Sequence, residues 1–451
     1  MVSSLIWRFR QLSRRLWIRA ALISAMSLVA AAIAPWFSGI LPDGFARGID
    51  EAAAMQLLNI LTSTMLTVTT FSLSVMVTTH LNADGNATPR SHQLLQQDTR
   101  THTVLATFLG AFVYALTLIV MIEAAIVSSA DYAAIYVITI LVIALVVIAI
   151  LRWIAHLSGL GSLEETIRRV EERAMSSARM RVGAPYLGGV PCPMQRSLPD
   201  GTTAVLADRF GYIQHIDTQA ISAALEEDDA QYWVAEQPGG WVNEGEVLGY
   251  VSGPHPRTLA DRIRAATTLG DMRSYDQDTA YGLIVLSEVA ERALSPGIND
   301  PKTAIDVLVR QTKLYAFLFN GLAEAEAEVT APRVHVPPFD ASRVLEETVD
   351  VIARDGRSFV EVMTGVQRIY RALEPRAPTE VQAAIRVLSG RALAYAENGL
   401  LLAPDLARVR KLALVSDAVE ILPDPVAILS SAAASDAKDV ERGMDEDTGK
   451  T

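Results

Sequence analysis

The sequence predicts an α+β membrane protein: four transmembrane helices, then a cytoplasmic domain that joins a small β module to a helical, bundle-like region. Three observations predict it. Half of the 451 residues are hydrophobic, only a fifth are charged, and the mean hydropathy is +0.25. The apolar residues crowd into the first third of the chain, where four runs are long enough to cross a bilayer. Beyond residue 200, glycine-punctuated β-branched and aromatic stretches give way to long helical patterns.

The spans come first. They cover about Ala20–Leu41, Ala52–Thr79, Thr103–Ser129 and Ala133–Ile154. Flanking charge orients them. Arg8, Arg10, Arg14, Arg15 and Arg19 precede the first span, Arg90 and Arg100 follow the second, and Arg152, Arg168, Arg169 and Arg173 follow the fourth. The other two links lean acidic, with Arg47 against Asp43, Asp50 and Glu51 in one and Asp131 and no base in the other. Basic residues thus favour one side each time, which predicts both termini in the cytoplasm. Ala32-Ile33-Ala34 mimics a signal-peptide cleavage site, but Pro35 would become the first mature residue and the run is long for such a peptide. The expected localisation is the bacterial inner membrane, with the lipid bilayer as the first partner.

The second span is rich in hydroxyls. Ser63, Thr67, Thr70 and Ser74 recur at helical spacing, with Asn59 nearer the outer end. Glu123 falls near the outer end of the third span and is expected at a depth similar to Asn59. Two readings fit this set. It lines a polar path for an ion or small solute, with Glu123 as its ionisable member. Alternatively, the hydroxyls form a helix–helix seam, since Ser and Thr allow close approach and bonds across helices.

The rest of the chain divides by composition. Residues 1–158 form the membrane domain and 159–200 a helix and a Pro/Gly-rich linker; Ser162 and Glu165 fit a capping box at that helix's start. Residues 201–255 form the β module. Its glycine spacing around Gly239, Gly245 and Val251 resembles lipoyl-like barrel-sandwich hairpins, although no lysine stands in the turn to carry a prosthetic group. His215 and Asp217 share one strand face there, but two ligands make no metal site. Residues 256–435 read as helical and 436–451 as a disordered acidic tail.

One stretch of the helical region stands out: "RALSPGINDPKTAID", Arg292–Asp306. Pro296 and Gly297 end one helix, Asp300 caps the next, and Pro301 occupies its first position. Ser295 and Asn299 suit a turn. A binding corner is the sharper alternative. It draws on Arg273, Asp276 and Asp278 at the start of the preceding helix, and on Arg292, Ser295, Asn299 and Asp300 at its end. It requires the two ends to meet.

With these pieces in place, the chain resembles one bacterial family of membrane proteins, the domain of unknown function 2254. The resemblance rests on "WIRAAL" at Trp17–Leu22, "ATPR" at Ala87–Arg90, "GYIQHID" at Gly211–Asp217, "YDQD" at Tyr275–Asp278 and "RALSPGINDPKTA" at Arg292–Ala304. It implies a multi-span membrane protein and no particular activity.

Several classes are disfavoured. A net charge of −12 argues against nucleic-acid partners. The one cysteine, Cys192, cannot make an internal disulfide. No nucleophile elbow, P-loop, zincin or dinucleotide fingerprint occurs, so no enzyme activity, catalytic residue or cofactor is expected. The expected function is an oligomeric ion or small-solute channel, transporter or sensor, regulated by its cytoplasmic domain. The alternatives are a membrane-anchored ligand-binding or scaffold module and, last, a membrane-bound hydrolase.

Overall fold

A computed structural model describes residues 49–86, 88–91, 99–127, 131–157, 162–192, 198–199, 201–325 and 328–415, with isolated helical positions between 21 and 33. The expected first span lies largely outside these residues, as do the acidic tail and residues 416–435 of the expected helical region. The other three spans are present as α1 (Glu51–Asn86), α2 (Thr99–Glu123) and α3 (Tyr132–Leu157). Each is long and apolar enough to cross a bilayer.

α2 is the most buried helix of the three. Half of its most apolar window is buried, against 17% for α1 and 22% for α3. The packed core joins Leu58, Leu61 and Met65 of α1 to Phe108, Tyr114 and Leu118 of α2 and Ile135 and Val146 of α3. Van der Waals fit drives such contacts where lipid is as apolar as leucine. Two polar ties add to it. Tyr114 and Thr139 pair across α2 and α3 at 3.4 Å, and the Tyr132 hydroxyl donates to Glu51 at 3.1 Å. The starts of α1 and α3 therefore lie together, at the end of the bundle where α2 finishes.

α2 is shorter than its apolar run suggests. Ala125 takes a left-handed φ of 53°. The Ala125 N–H then reaches the Ile122 carbonyl and the Ile126 N–H reaches the Met121 carbonyl, which closes the helix at Glu123. Apolar periodicity cannot register this stop, because the residues beyond it stay hydrophobic.

The described residues fall into two compact units. The first contains the spans and the β module. In that module β2 (Thr203–Leu206), β6 (Val247–Val251) and β4 (Tyr232–Val234) pair antiparallel, with β6 central. A second sheet sets β3 (Gly211–Ile216) between β5 (Trp241–Val242) and β7 (Thr267–Gly270). Helices α5 (Thr218–Glu226) and α6 (Pro256–Ala266) supply Ile221, Leu225, Leu259 and Ile263 to its core. Gly249 is fixed by close approach: a Cβ there would lie 2.3 Å from the Trp233 carbonyl oxygen and 2.5 Å from the Tyr232 hydroxyl. The module extends past residue 255 because the β-branched pair Thr267-Thr268 continues as a strand against β3 instead of prolonging α6.

The second unit is mainly helical. It holds the C-terminal half of α4 (Leu163–Gly183), then α7 (Thr279–Leu294), α8 (Pro301–Glu324), α9 (Ala341–Leu345), a π turn (Glu346–Asp350), α10 (Val351–Asp355), α11 (Val360–Leu373), α12 (Thr379–Gly399) and α13 (Ala403–Arg410). A short parallel pairing joins β1 (Val190–Pro191) to β8 (Val334–Val336). Gly282 lets α7 lie against α4, since a Cβ there would come within 2.4 Å of the Ala174 Cβ.

The start of α4 gives a pH prediction. The Glu165 backbone N–H is capped by the Ser162 hydroxyl at 3.1 Å, and its carboxylate accepts from Arg168 and Arg169 at 2.6 to 2.8 Å. Chiefly the Arg168 bond lowers the Glu165 pKa from 4.5 to about 2. A carboxyl depressed on folding stabilises above its unfolded pKa, and that contribution is lost as pH falls through the folded value. Thermal melts between pH 4.5 and 2 should therefore show a flatter loss of stability in Glu165→Gln than in the parent.

Candidate functional site

The polar set in the membrane is assembled on one face of α1. Asn59, Ser63, Thr67, Thr70 and Ser74 are all exposed, and Gln56 and Thr78 extend the row at the same three-and-four spacing. The row from Gln56 to Thr78 covers about 33 Å at 1.5 Å per residue, close to the ~30 Å hydrocarbon thickness. The opposite side of α1, with Ala54, Leu58, Leu61 and Met65, is the packed one. The seam against α2 is therefore apolar, and the hydroxyl face turns away from it.

Each hydroxyl in the row that bonds does so to its own helix. Ser63 donates to the Asn59 carbonyl at 2.9 Å, Thr67 to Ser63 at 3.0 Å, Thr70 to Leu66 at 3.0 Å and Thr78 to Ser74 at 3.0 Å. This is the usual back-bonding of Ser and Thr inside helices. The protons point inward along the helix, so the oxygens present lone pairs to the outside.

Glu123 is not at the depth of Asn59. It is the last residue of α2 and is exposed, whereas Asn59 lies about 12 Å into α1 at 1.5 Å per residue. Glu123 belongs instead to an acidic end of the bundle. Exposed Asp50 and Glu51 begin α1 and half-buried Asp131 precedes α3, at the end where α2 terminates in Glu123.

The expected binding corner separates into two places. α7 runs unbroken for 16 residues, so Arg273, Asp276 and Asp278 lie at one end and Arg292, Ser295, Asn299 and Asp300 at the other. About 24 Å of helix stands between them. The expected single site is not formed.

The second end is a corner. Ser295 caps α7 by donating its hydroxyl to the Arg292 carbonyl at 2.6 Å. Asn299 takes φ 54°, a conformation Asn tolerates better than most residues, and its N–H reaches the Ser295 carbonyl. The Asp300 N–H bonds the Ala293 carbonyl at 2.8 Å, and its carboxylate accepts from the Lys302 and Thr303 N–H groups and the Thr303 hydroxyl. The Thr303 hydroxyl bond leads in holding Asp300 below the usual carboxylate range. Pro301 then starts α8.

The first end is a buried charge cluster. Arg273 grips Asp278 through two bonds, 2.6 and 3.0 Å, and stacks over Tyr281 at 5.4 Å. Asp278 is 1% exposed and also caps α7 by accepting from the Tyr281 N–H at 3.0 Å. Burial pushes its carboxyl up, opposed by Arg273. A second guanidinium, Arg181 of α4, is 3% exposed. It donates to the Thr279 hydroxyl at 3.3 Å and the Pro185 carbonyl at 3.2 Å, over the Phe339 ring. Burial lowers its pKa to about 10, against the pull of Asp278. Sequence reasoning missed Arg181 because it sits in a charged run. The available signal was the small-residue face Ala174, Ser177, Ala178 one and two turns before it.

Among the described residues no group of three or more His, Cys, Asp or Glu could hold a metal ion. His215 lies in β3, whereas Asp217, just past its end, caps α5 by accepting from the Ala220 N–H.

Comparison with known proteins fits this architecture. A family model described as "Predicted membrane protein (DUF2254)" matches residues 13–372, from the first apolar run to the end of α11. The chain belongs to the DUF2254 family. Uncharacterized proteins of Mycobacterium bovis and Mycobacterium tuberculosis are each 30% identical to it over 118 residues, a quarter of this chain. The match spans 23% of the length of those relatives. No solved structure matches. In this DUF2254 protein the YDQD and SPGINDP stretches have separate local roles, a helix start with a buried Asp278 and an exposed helix corner.

Three outcomes follow for these ends. Asp278→Ala leaves Arg273 buried without its carboxylate and should cost about 3–5 kcal/mol in denaturant unfolding. Asp300→Ala loses only a cap, about 1 kcal/mol. Gly297, with open space around a Cβ, should accept Ala with a change below about 0.5 kcal/mol.

Proposed function

We propose that this membrane protein assembles into oligomers in which the hydroxyl face of α1 lines a path for a small cation or a hydrogen-bond-donating solute. The observation that carries the reading is the exposed row from Gln56 to Thr78, as long as a bilayer core is thick. The three spans among the described residues cannot enclose a path alone, so the row needs further helices, supplied most simply by other copies of the chain. The outward lone pairs favour cations and donors over anions. The acidic end at Asp50, Glu51, Glu123 and Asp131 supports the same preference by raising local cation concentration. On this reading the protein sits in the bacterial inner membrane with its large domain in the cytoplasm, where the β module and helical unit regulate the path.

A second reading treats the spans as an anchor for a ligand-binding or scaffold domain. The satisfied hydroxyl protons favour it, because a back-bonded row can face lipid at modest cost.

Flux assays separate the two. Liposomes holding the full-length protein should pass sodium or potassium well ahead of chloride. Replacing Ser63 and Thr70 together with Leu should lower that flux at least tenfold, while Thr62→Val, on the half-buried side of α1, should not. An inert reconstituted protein, or equal flux in the Leu variant, contradicts the path and leaves the anchor.

A further inference from the structure

The three-stranded sheet of the β module carries an exposed apolar cluster at one end. β5 and β7 both run antiparallel to β3, so the start of β3 at Gly211 meets the ends of β5 at Val242 and of β7 at Gly270. Phe210, Trp241 and Met272 stand at these termini and are 58%, 47% and 52% exposed. Local contacts hold them there. Trp241 pairs with Tyr212 across the strands, and their rings meet edge-on at 4.9 Å. The indole N–H donates to Asn243 at 3.1 Å. The Gln214 side chain lies over Gly270, where a Cβ would come within 2.4 Å of its Nε2, and it donates to the Met272 carbonyl at 2.6 Å. Three large apolar side chains held in water at one place mark an interaction surface.

Carboxylates rim this cluster. Asp208, Glu244 and Asp271 are all exposed, and each lies within three residues of one of the apolar side chains. The Ala207 N–H reaches the Glu246 carbonyl at 2.8 Å and the Gly245 N–H reaches the Ala207 carbonyl at 2.9 Å, which sets the turn after β5 beside Asp208. Arg209, at the same end, is drawn back to the Leu269 carbonyl at 3.0 Å. An apolar centre with an acidic rim disfavours an anionic lipid surface. It fits a segment that is apolar and basic together, as amphipathic target helices are.

The chain itself carries such a segment. Residues Met1–Arg19 lie outside the described residues, but their sequence is distinctive. Leu5, Phe9, Leu12 and Leu16 recur at the three-and-four spacing of an amphipathic helix. Arg8, Arg10, Arg14, Arg15 and Arg19 add five positive charges, with no acidic residue among them. We propose that this N-terminal segment docks on the acid-rimmed Phe210–Trp241–Met272 end of the β module. The proposal rests on the orientation stated under the proposed function, which sets segment and module on the same side of the membrane. A segment on the same chain acts at an effective concentration well above that of a free peptide, so a small surface is enough. The contact ties the module to the start of the expected first span and gives the large domain a direct hold on the membrane helices.

Cysteine pairs in the full-length protein, with Cys192 replaced by Ser, test the docking in native membranes. Met272→Cys should form a disulfide with Phe9→Cys or Leu12→Cys at least fivefold more than with Arg10→Cys or Arg14→Cys, and the product should run as a monomer. Glu226→Cys, exposed on α5 away from that end, should not link to either. Adding Asp208→Asn, Glu244→Gln and Asp271→Asn together should lower the yield several-fold. Equal yields at 226 and 272, or no link at 272, would overturn the docking and leave the segment to the bilayer. A covalent dimer as the main product would overturn it in favour of a neighbouring copy. Labelling Phe9→Cys and Glu226→Cys with an impermeant maleimide, in spheroplasts and in inverted vesicles, keeps the two ideas apart. Reaction from opposite sides refutes the orientation and the docking together, whereas reaction from one side without a link refutes the docking alone.

Discussion

A hydrocarbon core offers no hydrogen-bond partners, and α1 is shaped by that constraint. A helix that keeps Ser63, Thr67, Thr70 and Thr78 on one face must satisfy their protons internally, and it does so on carbonyls one turn back. The other face is then free to be apolar and to pack Leu58, Leu61 and Met65 against α2. The division into two faces decides the rest of the membrane part. α2 becomes the most buried helix, α3 packs on the apolar side, and the hydroxyl row is left outside the core of the three described spans. The acidic residues gather at one end because alternate helices reverse direction.

The helical unit meets the same difficulty with full charges. Arg181, Arg273, Asp278, Asp350 and Arg391 are buried or half-buried, and each charge has a partner in place. Desolvation costs of such groups are several kcal/mol per ion, so they rarely add stability over apolar replacements. Their effect is to fix geometry. Asp278 starts α7 at one residue and no other, and the Arg391 bonds tie α12 to the π turn. The SPGINDP corner works at the opposite end of α7 by local bonds alone. Its Asp300 serves the start of α8 and its Asn299 the left-handed turn.

Much of this was legible in the sequence. Spans two to four follow from apolar length, and the corner follows from Ser, Pro, Gly, Asn and Asp in capping order. The family follows from motifs such as Arg292–Ala304, and the match over residues 13–372 agrees. The failures share a cause: the sequence does not announce which competing local bond wins. α2 stops at Glu123 because Ala125 turns left-handed within an apolar run. α7 starts at Thr279 and not near Arg273 because Asp278 is taken up as its cap. Thr267–Gly270 becomes a strand because β3 lacks a neighbour on that side. Burial of Arg181 and the π turn depends on packing from distant segments, which no local window contains.

The central claim is that the hydroxyl face of α1 meets other copies of the chain. Cysteine cross-linking in native membranes tests it most directly, with Cys192 replaced by Ser and single cysteines placed along α1. Disulfide-linked oligomers should form at positions 63, 67, 70 and 74, and not at 61 or 65 on the packed face or at exposed 66 and 73 beside the row. Cross-links that are absent from the row, or that ignore its three-and-four spacing, would contradict the assembly.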